Sequence, residues 1–342
     1  MVQTRVKKQA SVAIIGLLLM LFIAACGNNG NSGNAQPSAS AESSPPASAA
    51  ATPTASPSAS AADVRTVKDA FGEVTVPANP QRVIVLSSSG LDNLLALDVK
   101  PIGAPYSVSV NANFFAYLVD KTEGIENTGT TDQPNLETIA KLNPDLIIGQ
   151  RDTHEAIYED LKRIAPVFLS ERVSNDWKGL FRDQADAVNK LAEAEKLIEQ
   201  FDANIAKFKT DMGDTAATKT VTLIRPREDH IRIYTENSFA GSIVKEAGLV
   251  RPAKQQGVEE IHIKITEEQI GDMDAEVLIS FGRESEADYF NNQILKNPLW
   301  NTLAAVKNNE VHMVNWEIWL SGQGIQAANL ILDDLNTFFL GQ

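Results

Sequence analysis

From Asp176 to Met212 the chain runs 37 residues without a proline and with a single glycine, Gly179. Apolar side chains return at Phe181, Ala185, Val188, Leu191, Ala194, Ile198, Phe201, Ile205, Phe208 and Met212, always three or four residues apart. That spacing winds one stripe along an α-helix, and unbroken it would reach about 55 Å at 1.5 Å per residue. This is longer than a small domain is wide. Two shorter helices or a coiled coil would carry the same stripe. Strand-and-helix patterning resumes beyond Met212, however, so one helix over 176–212 bridging two lobes is the expectation.

Before the stripe, Arg82-Val-Ile-Val-Leu-Ser87 reads as a strand, Leu91 to Leu97 as a helix and Val99 to Ala104 as a second strand. Leu136 to Leu142 is a short helix stopped by Asn143-Pro144, Asp145-Leu-Ile-Ile-Gly149 a buried strand, and His154 to Ile164 a further helix. After the stripe, Thr220 to Arg225 and His230 to Tyr234 read as strands, and Phe239 to Ala247 as a helix ended by Gly248. Glu267 to Met273 followed by Glu276-Val-Leu-Ile-Ser280 repeats the earlier helix–strand pair at an offset of 131 residues without a gap. Glu310 to Val314 and a helix from about Gly322 to Phe339 close the chain. Such alternation predicts parallel sheets. The fold class is α/β: two Rossmann-like lobes, 63–175 and 213–342, joined by one long helix, with a ligand cleft between them.

The first 62 residues have a different character. Arg5, Lys7 and Lys8 precede an uncharged apolar run of 12 residues, Val12 to Ile23, which falls short of the roughly 20 needed to span a bilayer. Residues 1–25 therefore read as a secretory signal peptide. The run ends in Ile23-Ala24-Ala25-Cys26, and Cys26 is the only cysteine of the chain. This seam resembles the lipobox of bacterial lipoproteins, which implies cleavage before Cys26 and a diacylglycerol on its sulfur. An incidental Cys after a retained anchor is the other reading. In 27–62, 25 of 36 residues are Ala, Ser or Pro and Glu42 is the only charge. That composition cannot bury enough apolar surface to offset ordering, so 26–62 is expected to be a disordered, lipid-anchored tether.

Residues 63–342 carry 27 basic and 43 acidic side chains, a net charge of −16. Nucleic-acid binding needs a basic surface and is excluded on that ground. One cysteine allows neither an intrachain disulfide nor a thiolate zinc cluster. The histidines His154, His230, His262 and His312 are scattered without ligand spacing, so no metal site of the protein's own is expected. Gly-x-Ser-x-Gly, Walker A and Gly-x-Gly-x-x-Gly patterns are all missing. An enzyme modifying its ligand would need a nucleophile or cofactor that the sequence does not offer. No enzyme activity and no cofactor are expected.

Four segments, RVIVLSSSGLDNLLAL, LETIAKLNPDLIIG, IRPREDHIRIYTENSFAGSIVKEAGLVRP and EIWLSGQGIQAANLILDDL, follow one another around the long stripe. In order and spacing they resemble the substrate-binding lipoproteins of ABC importers for iron–siderophores, a family related to the vitamin B12 and haem binders. The likeness covers about residues 64–340, and the last two segments resemble the ferric hydroxamate or citrate subgroup. It implies a monomeric, lipid-anchored protein on the outer face of a bacterial cell membrane, of the Gram-positive type. Such a protein captures a ferric siderophore between rigid lobes and delivers it to an ABC transporter permease. Haem, cobalamin or a catecholate siderophore is the alternative cargo within the family.

Ligands of α/β sheets gather at the carboxyl ends of strands. There the sequence supplies Ser87 to Ser89, with Ser88 central, and Tyr106, Arg151, Arg225, Arg227, Arg283 and Trp316. The run from Arg225 to Tyr234 adds His230, Arg232 and Tyr234, a basic cluster inside an acidic domain. An anionic ferric chelate would account for it, since arginine offers a fixed fork to carboxylate and hydroxamate oxygens. Pairing with Glu228, Asp229 and neighbouring acids would account for it as well. The resemblance further implies one acidic residue on each lobe for permease docking. Asp92, on the first helix, and Glu246 are the candidates, both read as exposed.

Overall fold

The computed structural model describes residues 63–107 and 113–342, which belong to one compact unit. The expected signal peptide, Cys26 and the tether lie outside the described residues. The described chain opens with an antiparallel hairpin, β1 (Val64–Asp69) and β2 (Gly72–Pro77). The first lobe follows: β3 (Val83–Val85), β4 (Gly103–Ala104), β5 (Glu126–Asn127), β6 (Leu146–Gln150) and β7 (Val167–Ser170). They make a parallel sheet in the order β5-β4-β3-β6-β7. In the second lobe β8 (Val221–Pro226), β9 (Ile231–Tyr234), β10 (His262–Ile265), β11 (Val277–Ser280) and β12 (Val311–Met313) pair in the order β10-β9-β8-β11-β12.

The 131-residue repeat is a repeat of position. β6 lies between β3 and β7, and β11 lies between β8 and β12, each after its own helical turn. The two sheets differ at one edge. β8, β11 and β12 are parallel, whereas β9 runs back antiparallel to both its neighbours, β8 and β10.

The β-branched runs are apolar throughout because each sheet is covered on both faces. Alternate residues of one strand enter different cores. Val83, Val85, Leu146 and Ile148 face the same apolar cluster as Val221, Leu223, Val277 and Ile279 of the other lobe. Ile84, Leu86 and Ile147 face an outer cluster of the first lobe, and Ile224 and Leu278 an outer cluster of the second. The inner cluster is thus common to both lobes, and helices lie between the sheets within it.

The expected single helix over 176–212 is corrected to two. Trp177–Ala187 and Leu191–Met212, the latter 22 residues long, are separated at Val188-Asn189-Lys190. Asn189 takes a left-handed φ of 59°, which ends the first helix. Asparagine adopts that conformation more readily than most residues. Arg182 Nε donates to Glu195 at 2.8 Å, and the Trp177 and Phe201 rings meet edge to face at 5.0 Å, so the two helices lie side by side as a hairpin. The apolar stripe resumes at Ala194, with Leu191 exposed at the break, because both helices turn an apolar face to the shared core. Leu191–Met212 then reaches the C-terminal helix Ile325–Leu340, where Phe208 meets Phe339 at 6.3 Å.

Candidate functional site

A cavity of about 510 Å³ lies between the lobes at the carboxyl ends of the parallel strands. This is a volume suited to a small-molecule ligand. From the first lobe, Ser87, Ser88 and Ser89 follow β3, Tyr106 and Ser107 follow β4, Thr130 to Asp132 follow β5, and Gln150 ends β6. The serine run is built for the turn it makes. Ser87 caps the helix Ser88–Ala96 by accepting from the Gly90 amide at 3.1 Å, and its hydroxyl lies 3.1 Å from that of Ser89. Hydroxyls and a helix N-terminus are thereby presented to the cavity, and both favour an anionic ligand edge.

The second lobe supplies Arg283 beyond β11, Trp316 beyond β12, and Ser321 and Gln323 ahead of the last helix. The Arg283 guanidinium lies over the Trp316 ring, 4.7 Å from its centroid. Trp316 meets Phe115 of the first lobe edge to face at 6.2 Å. Burial, and then the like charge of Arg225, push the Arg283 guanidinium below its usual range.

Behind Arg283 stands an arginine cluster gathered by one acid. Glu286 is 4% exposed. It accepts from Arg225 Nε at 3.0 Å, Arg225 Nη2 at 2.7 Å, Arg227 Nη1, and the Arg283 amide at 2.9 Å. Burial pushes its carboxyl up, but the hydrogen bonds from Arg225 and the Arg283 amide outweigh this and hold it below the usual range. The sheet register sets Arg225 of β8 opposite Arg232 of β9, and Arg232 opposite Lys264 of β10. Like charges directly opposite one another across strands are unfavourable, so this row of cations calls for counter-charge.

Of the residues singled out by sequence, Ser88, Tyr106, Arg283 and Trp316 line the cavity. Arg225, Arg227, His230, Arg232 and Tyr234 do not. Arg225 and Arg227 are held by Glu286, and His230 is placed between the Asp229 carboxylate and Arg232 Nε. Tyr234 packs against Phe281 and His262. Arg151 is corrected: Gln150 takes the cavity position, and Arg151 starts a helical turn directed elsewhere. It pairs with Glu155 and Glu171 and lies over the Phe71 ring.

Asp92 is corrected too, because it is fully buried, not exposed. It accepts from the amides of Gln326 at 2.8 Å and Ala327 at 3.0 Å, and from the Tyr117 hydroxyl at 2.8 Å. It therefore caps the C-terminal helix from another segment, a role that helix's own Gly324 cannot fill. A Cβ at Gly324 would lie 2.3 Å from Asp92 Oδ1, so only glycine admits the carboxylate. Glu246, the other docking candidate, is half-buried and paired with Lys178. The residues that sequence reasoning missed are Ser107, Phe115, Thr130 to Asp132, Gln150, Ser321, Gln323 and Glu286. Only Ser321-Gly-Gln-Gly324, a helix-start turn, carried a local signal.

The family model described as periplasmic binding protein matches residues 83–314. The chain is 35% identical to a Bacillus subtilis relative named probable siderophore-binding lipoprotein YfiY, over 98% of this chain and 99% of that one. It is 30% identical to the Fe(3+) dicitrate-binding periplasmic protein FecB of Escherichia coli, over 82% and 92%. Among solved structures, Staphylococcus aureus SirA complexed with staphyloferrin B superposes with a TM-score of 0.74 at 27% identity, covering 80% of this chain and 98% of that one.

Proposed function

The chain belongs to the periplasmic binding protein family, and we propose that its cleft holds a ferric siderophore of hydroxamate or citrate type between the Ser87–Ser89 hydroxyls and the Arg283–Trp316 pair. It is an extracytoplasmic substrate-binding lipoprotein of an ABC iron importer and not an enzyme. Lipidation is assigned to Cys26. The observation that carries the ligand reading is the cation over the cavity-lining indole, backed by further cations and faced by hydroxyl groups. A ferric chelate has its metal sphere filled by the siderophore, so the protein need only grip the outer oxygens. Arginine and hydroxyl donors suit that task.

Docking to the permease needs acids that reach solvent, which Asp92 does not. The internal repeat aligns Glu137 with Glu268, both exposed and both in the first turn of the segment preceding a central strand. A helix returning antiparallel to the next strand starts at the sheet's carboxyl end. Topology thus puts both acids on the cavity side of their sheets, and we take them as the docking pair in preference to buried Asp92 and lysine-paired Glu246.

The test is titration of residues 63–342 with ferric trihydroxamate, ferric citrate and ferric catecholate complexes, read by tryptophan fluorescence. Saturable quenching by the first or second is expected, and it should shrink in Trp316→Phe. Arg283→Ala is expected to weaken binding by roughly 10- to 100-fold, the effect of losing a charge-assisted contact. A response to none of the three complexes sinks the reading. A response to the catecholate alone moves the ligand class.

A further inference from the structure

Glu286 is a buried carboxylate among three arginines, Arg225, Arg227 and Arg283, and Arg225 stands opposite Arg232 across the sheet. It receives both nitrogens of the Arg225 fork and one of Arg227, and through the Arg283 amide it fixes the segment whose guanidinium reaches the cavity. Arg225 is 6% exposed and its fork is filled. Arg283 keeps a buried Nε with no partner, and its guanidinium lies on Trp316 at the cavity wall.

Building on the ferric-chelate reading of the cleft, we propose that Glu286 is a positioning residue that limits how much negative charge the bound complex carries. It fills the Arg225 fork, holds one nitrogen of Arg227 and subtracts one charge from the cluster. Arg283 is then the guanidinium left to meet the ligand. The cleft consequently discriminates by total charge as well as by shape, favouring complexes of low negative charge over more highly charged ones. Without Glu286, the same arginines would lose their counter-ion and the cavity wall would gain one unit of positive potential. A unit charge acting across a partly buried site is worth on the order of a tenfold change in affinity.

The experiment compares Glu286→Gln, Glu286→Asp and the unsubstituted protein. The probes are a neutral ferric trihydroxamate and an anionic ferric citrate complex, at two salt concentrations, with thermal melts confirming folded protein. Glu286→Gln is expected to tighten the citrate complex about tenfold and to steepen its salt dependence, while the neutral complex moves less than about twofold. Glu286→Asp keeps the charge and is expected to keep the original affinity ratio. A merely structural role would shift both complexes together, and that parallel shift overturns the inference. So does an altered ratio in Glu286→Asp. Binding of neither complex by the unsubstituted protein removes the ferric-chelate reading and this inference with it. Binding of both, with an unchanged ratio in Glu286→Gln, removes the inference alone.

Discussion

Asp92 is sealed from water, and every polar atom facing it belongs to another segment of the chain. Burial pushes its carboxyl up to about 6, although hydrogen bonds from the Gln326 amide, Tyr117 and the Ala327 amide pull the other way. In the unfolded chain the same group ionises near 3.8. Between these values the folded state binds the extra proton, so this residue's contribution to stability is present at low pH and is lost as pH rises through 6. A shift of this size corresponds to about 3 kcal/mol. Urea unfolding of the natural protein and Asp92→Asn at pH 4, 5, 6 and 7 reads the effect. The natural protein should lose stability relative to Asp92→Asn as pH rises from 4 to 6, and parallel profiles would count against it. Neither Asp92 nor Glu286 was legible as a buried ion, since a carboxylate reads the same in sequence whether it meets water or an amide. Ser88, Tyr106, Arg283 and Trp316 were legible because strand ends can be located from the hydrophobic pattern, and strand ends place ligands.

Among elements, the central strands were read, because runs such as Leu146–Gln150 are buried on both faces and bounded by turn residues. In contrast, β1, β2, β5, β7 and β10 were not, and the strand expected over Val99 to Ala104 shrinks to Gly103–Ala104. The break at Asn189 escaped because Val188 before it and Ala194 after it are both buried, while Leu191, which the spacing counted into the stripe, is exposed. The antiparallel return of β9 escaped for a similar reason, since a buried strand's composition does not record its direction. That return is what lines up Arg225, Arg232 and Lys264. If the left-handed φ at Asn189 is what turns the two helices into a hairpin, Asn189→Ala should cost about 1 kcal/mol and Asn189→Gly should lie within about 0.5 kcal/mol of the natural protein. Chemical denaturation of the three proteins settles the order. An alanine variant as stable as the glycine one would place the break elsewhere.

At the scale of the whole molecule, the two sheets do not own separate inner cores. Val85 and Ile148 of one lobe and Leu223 and Ile279 of the other belong to one buried cluster with Phe181, Phe201 and Ile331. Polar ties add to it: Asn93 joins Gln184 at 2.7 Å and the Ile325 amide at 2.9 Å, and Glu317 accepts from the Ala116 amide at 2.7 Å. Hinging the lobes widely apart would expose that cluster at about 25 cal/mol per Å² and leave Asp92 without its amides. In the proposed docking, so extensive a shared core would hold Glu137 and Glu268 at a nearly constant separation, and a permease would read the pair as a gauge and not as two independent contacts. Simultaneous engagement of two fixed sites makes the loss of either one costly. Glu137→Ala and Glu268→Ala should therefore each impair iron uptake by cells while leaving ferric-siderophore affinity in solution unchanged. The double variant should be little worse than either single one. Additive losses would point to independent contacts, and unchanged uptake in the double variant would remove both acids from the docking surface.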